Sequence, residues 1–126
     1  MSDDDAVDWS ADWEAMLGTV PQLAIDLREL SPAAEAGYRT TRKWIYSDRE
    51  EGSSRAVKEL VMVAINVAEG NAAGAVTHMR MGLEHGMTRT QLAEVLAQCF
   101  LTLGLLKFNT AGLPVWQAAR ELVDQE

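Results

Sequence analysis

The chain has 126 residues, 48% of them apolar and 24% charged, with a net charge of −8. That length suits one hydrophobic core, and the acidic balance excludes nucleic acid as a partner, because a phosphate backbone needs a clustered basic face. Cys99 is the one cysteine, which excludes an intrachain disulfide framework. The first residues hold Asp3, Asp4, Asp5 and Asp8, with neither the basic segment nor the apolar run of a signal peptide. The longest apolar stretch, Leu101 to Phe108, is interrupted by Thr102, Gly104 and Lys107 and is too short to span a bilayer. A cytoplasmic protein without a membrane partner is the expectation.

In chain order, residues 1–8 read as an acidic flexible leader and residues 9–126 as a single helical domain. Trp9, Trp13, Met16 and Leu17 share one helical face. A short helix follows Pro21, expected to bury Leu23, Ile25 or Leu27, and Leu30. Ser31 and Pro32 then read as an N-cap followed by proline in the first helical position, opening a helix through Tyr38, Trp44 and Ile45. Ser47 to Gly52 reads as a loop. Ser53 or Ser54 caps the next helix, whose expected apolar face is Val57, Leu60, Val61, Ala64, Ile65 and Ala68. Gly70–Asn71 ends or kinks that helix, and the helix carrying His78 follows, stopping at Gly86. Thr88 to Gln91 matches a capping box. The stripe behind it is Leu92, Val95, Leu96, Cys99, Phe100 and Leu103, and Pro114 starts or kinks a last helix with Trp116, Ala119, Leu122 and Val123. No segment alternates apolar and polar residues, so the predicted fold is all-α, with about six or seven helices. Helices apolar on more than one stripe must bury the second one, which points to a homo-oligomer.

Lys58 to Val61, Thr77 to Arg80, Gly82 to Thr88 and Leu92 to Leu96 resemble segments of the carboxymuconolactone decarboxylase family, within the wider alkylhydroperoxidase D-like group. The resemblance covers the chain from about Leu30 onward. It implies an alkylhydroperoxidase D-like helical bundle assembling as a trimer or hexamer, and it places Glu59 beside His78. The peroxidase branch carries cysteines seven and four residues before its histidine; here those positions are Asn71 and Gly74.

Peroxide reduction by a dithiol needs an attacking thiolate and a resolving partner. Neither Asn71 nor Gly74 supplies one, and Cys99 reads as a core thiol, so a thiol peroxidase is excluded. His78 is the catalytic candidate, since an imidazole moves protons in either direction near neutral pH; Glu59 would fix its tautomer. The opposing reading makes the pair a packed core contact. Asn71 and Arg80 are the substrate-binding candidates. Asn71 could equally be a helix terminator. Arg80 suits capture of a carboxylate, yet it lies two residues from His78 and so points to nearly the opposite side, which favours a salt bridge or subunit contact. His78 and His85 share a face but are about 10 Å apart along the axis, too far to bind one ion easily.

These residues and the resemblance together predict a lyase without cofactor or metal, acting on a small carboxylated ring or lactone. Decarboxylation or a related proton shift is the expected step, with His78 as the acid and Glu59 as its orienting partner. The alternative is a non-catalytic member of the same fold that binds a small ligand or serves as a structural subunit.

Overall fold

Helix-period patterning runs through the whole sequence, and helices with no strand are what the described residues form. The computed structural model describes residues 3–124. Seven helices have nine residues or more: α1 (Asp3–Leu17), α2 (Gln22–Leu30), α3 (Pro32–Tyr46), α4 (Arg55–Ala68), α5 (Ala72–Glu84), α6 (Arg89–Leu103) and α8 (Leu113–Asp124). A three-residue α7 (Leu105–Lys107) runs into a π-helical turn, Phe108–Gly112, ahead of α8. The chain falls into two compact units, Met1–Ser47 and Asp48–Glu126. No described helix is long and apolar enough to cross a membrane.

In the first unit α1 starts at Asp3, inside the stretch expected to be a leader; the side chains of residues 1–8 lie outside the described residues. Ser31 caps α3 as expected, its side chain accepting from the Ala34 N–H with Pro32 just inside the helix. The expected core of α2 is corrected: Ala24 is fully buried and Leu27 half-buried, while Leu23, Ile25 and Leu30 are exposed. A nine-residue helix has one contact face, and at about 100° per residue Leu23, Ile25 and Leu30 fall on either flank of Ala24.

The centre of this unit is a carboxylate. Glu35 is fully buried and accepts from Trp13 Nε1 at 3.1 Å, Arg28 Nη1 at 3.0 Å and Arg39 Nε at 2.8 Å. Arg39 also reaches Asp12 at 2.7 Å, and Lys43 reaches the other Asp12 oxygen at 3.2 Å. Trp13 stacks on Tyr38, with ring centroids 5.7 Å apart.

The second unit buries Val63, Val67, Ala75, Met79, Leu92, Leu96, Ala111, Val115 and Ala119 in one cluster. Its turns are built as the sequence predicts. Ser54 caps α4, and Thr88 and Gln91 form both halves of the capping box. The face of α4 is corrected in part. Leu60 and Ala64 pack against the core as expected, but Val57, Val61 and Ile65 are exposed, and Ala56, Glu59, Val63 and Val67 point inward. Counting apolar residues puts Glu59 outside; its partners on α4 and α5 make the inward position affordable. On α6, Leu92, Leu96 and Cys99 are buried, but Phe100 and Leu103, expected in the core, are exposed.

Burial works to raise the Glu35 pKa, but the bonds from Arg39, Trp13 and Arg28, with the charge of Arg39, hold it below its ordinary 4.5. Burial is likewise outweighed at Asp12 by Arg39 and Lys43. A depressed carboxylate contributes stability that is fully present above the unfolded-state pKa and lost as pH falls through the folded one. Thermal unfolding followed by circular dichroism should therefore give a midpoint that drops steeply in acid, below about pH 4.5. Glu35→Gln should cost about 3–5 kcal/mol at neutral pH by removing the buried charge that Arg28 and Arg39 share, and should flatten that acid dependence. An unchanged acid limb would contradict this ledger.

Candidate active site

Glu59 sits mid-face on α4 and is fully buried. A carboxylate removed from water is stable only with charge and hydrogen-bond partners, and two neighbours supply them. Arg55, one turn earlier on the same helix, places Nε 3.3 Å from Glu59 Oε1. His78, from α5, places Nδ1 2.9 Å from Glu59 Oε2. The carboxylate accepts from Nδ1–H, which leaves Nε2 as the nitrogen facing away from it. Nε2 has no hydrogen-bond partner among the described residues, and the side chain keeps 16% of its surface exposed. The result is a proton-carrying ring with its back fixed and its front reachable.

The meeting of α4 and α5 is set by their turn and by two glycines. Gly70 ends α4 with φ +73°, a conformation open to glycine. Asn71 then caps α5, its Oδ1 accepting from the Gly74 N–H at 3.0 Å while its Nδ2 donates to Asn66 Oδ1 at 3.0 Å. Asn66 in turn donates to the Met62 carbonyl at 2.8 Å. Gly82, one turn beyond His78, is buried against α4: an added Cβ would lie 3.2 Å from Glu59 Cβ and collide with the end of Met87. The close approach that lets His78 reach Glu59 therefore depends on a missing side chain.

Of the four residues singled out from sequence, the fold brings Glu59 and His78 together. Asn71 is exposed, with both ends of its amide engaged in the turn. Arg80 is exposed, with no ion-pair or hydrogen-bond partner among the described residues. His85 bonds the Met81 carbonyl through Nδ1 at 2.8 Å, a helix-end contact. Among the described residues, no three His, Cys, Asp or Glu side chains gather as a metal site would require. Cys99 is buried, and burial pushes its thiol up, away from the reactive thiolate. Arg55 was missed. Its signal was present as the i, i+4 spacing to Glu59, which pairs opposite charges on one helix face.

Of the two positions set against the cysteines of the peroxidase branch, residue 74 is closed to a side chain by space, and Asn71 is committed to the helix cap. A Cβ at residue 74 would fall 2.4 Å from Asn66 Oδ1 and 2.6 Å from Asn71 Nδ2. Gly74→Ala should lower stability by about 1–3 kcal/mol in chemical denaturation, as overpacking does. Paired with Asn66→Ala it should cost less than the sum of the two single changes. Strict additivity would show that the Asn66 amide does not hold this space.

The sequence model of the carboxymuconolactone decarboxylase family matches residues 32–124. No curated protein matches the chain. Among solved structures, a protein of Burkholderia xenovorans LB400, named provisionally as a carboxymuconolactone decarboxylase, aligns with a TM-score of 0.81 at 20% identity, over 99% of this chain and 96% of that one. That likeness establishes the alkylhydroperoxidase D-like all-α bundle. With the match spanning most of the sequence, the chain belongs to the carboxymuconolactone decarboxylase family.

Proposed function

We propose that the protein is a cofactor-independent lyase acting on a small carboxylated ring or lactone compound, with His78 as the proton donor. The observation that carries this reading is the geometry of one ring: Nδ1 held 2.9 Å from a buried carboxylate, with Nε2 left accessible. Breaking the bond to a carboxylate releases carbon dioxide and leaves its electron pair on carbon, delocalised into an adjacent carbonyl. Protonated His78 gives its Nε2 proton to that carbon and becomes neutral, and the proton is regained from water. Glu59 accepts from Nδ1–H and sets the ring's orientation; Arg55 meets the other carboxylate oxygen.

Arg80 keeps a free guanidinium, and we assign it to the substrate carboxylate. Lying two residues along α5 from His78, it would serve the site of an adjoining copy more readily than its own. Asn71, the other candidate contact, has its amide committed to the turn, and its assigned role is to start the His78 helix. Self-association as a trimer or hexamer is supported by the exposed stripe of Val57, Val61 and Ile65 on α4. Cytoplasmic placement goes with this reading. A non-catalytic ligand-binding or structural subunit remains the rival, favoured by the small apolar residues at 72–76.

Carbon dioxide release from a panel of carboxylated lactones and β-keto acids tests the proposal. The wild-type chain should turn over at least one member. His78→Ala should lose about 100-fold or more, the usual range for a general acid, and Arg55→Met should lose less. A His78→Ala protein as active as wild type would refute the assignment.

A further inference from the structure

A second feature of the Asp48–Glu126 unit is an open groove whose lining includes neither Glu59 nor His78. Ala93, Leu96, Ala97 and Phe100 on α6, Phe108 from the π-helical turn and Trp116 on α8 line this groove of about 360 Å³. That volume lies within the range of small-molecule sites. The walls are aromatic: Phe100 and Phe108 meet edge to face, with centroids 5.6 Å apart. The position of Phe108 is specified by its surroundings, because a Cβ on Gly112 would lie 2.7 Å from the Phe108 ring. The turn that carries both residues is π-helical, a conformation that is rare in proteins and frequent at functional sites.

One end of the groove is cationic. Arg89 opens α6 and lies one turn before Ala93, on the stripe that continues through Ala93, Ala97 and Phe100. Its guanidinium stands over the Trp116 ring, 5.3 Å from the centroid. No carboxylate pairs with it among the described residues, in a chain of net charge −8. The indole holds the guanidinium by cation–π attraction and leaves its N–H donors for another group. The positive end of α6 adds to the same potential.

We propose that this groove binds a small carboxylate with an apolar body, the body lying against Phe100, Phe108 and Trp116 and the carboxylate meeting Arg89. The amphipathic anion is chosen over a purely apolar ligand by the unpaired Arg89.

The test titrates the full chain with 4-phenylbutyrate and with its uncharged amide, 4-phenylbutanamide, by calorimetry and by the Trp116 indole N–H resonance. The acid should bind about ten-fold tighter or more, the worth of one charge-assisted bond, and should shift the Trp116 signal. Arg89→Gln should bring the acid down to the level of the amide, and Ala97→Trp, which fills the groove, should abolish both. His78→Ala should bind as wild type does, which separates this site from the lyase proposal. Melting curves confirm that each variant is folded. Equal binding of acid and amide to the wild-type chain, no binding of either, or binding that survives Ala97→Trp would overturn the proposal. So would a groove signal that moves with protein concentration alone, which would mark a contact between copies.

Discussion

A carboxylate at zero exposure between two helices is the constraint from which the Asp48–Glu126 unit is organised. Burying Glu59 costs several kcal/mol unless the charge is met by partners. Arg55 must therefore stay one turn away on α4, and α5 must bring His78 to hydrogen-bond distance. That approach needs Gly82 without a side chain where the helices come closest, and a turn at Gly70–Asn71 that starts α5 in the right register. Stability and the proposed chemistry share a geometry here: the hydrogen bond that partners the buried acid also fixes the imidazole.

The first unit contains a second fully buried carboxylate, and the comparison shows what makes one acid a candidate for chemistry. Glu35 is met by two arginines and an indole N–H, with Arg39 tied onward to Asp12. None of those donors changes protonation near neutrality, and the network has the character of a structural clasp. Glu59 instead shares its charge with an imidazole whose second nitrogen remains reachable. Desolvation is common to both; only the second couples it to a group that can pass a proton on.

Helix boundaries were legible because they are written in short-range chemistry. Serine before proline at 31–32, the threonine–glutamine capping box at 88–91 and the Gly70–Asn71 break each act within a few residues, and each stands as read. Burial was less legible. On α4 and α2 several stripes are apolar enough to face inward, so the choice rests on tertiary partners that periodicity does not contain. Glu59 shows this best: its inward position follows from His78, nineteen residues away. The pairing itself entered through family resemblance. The roles of Asn66, Gly74 and Gly82 were beyond reach because they concern space, and a sequence does not display which Cβ position is already occupied. The π-helical turn at Phe108–Gly112 was missed for a related reason, since Gly112 and Pro114 read as an ordinary helix break and nothing in the residue types marks the wider turn.

The central claim is that Glu59 holds His78 by Nδ1 and leaves Nε2 for proton transfer. Long-range proton–nitrogen NMR of the His78 ring, recorded where the ring is neutral, reads this directly. The account predicts the Nδ1–H tautomer, with a slowly exchanging Nδ1 proton that is lost or moved in Glu59→Leu. A ring in the Nε2–H form, or one whose tautomer is indifferent to Glu59, would contradict it.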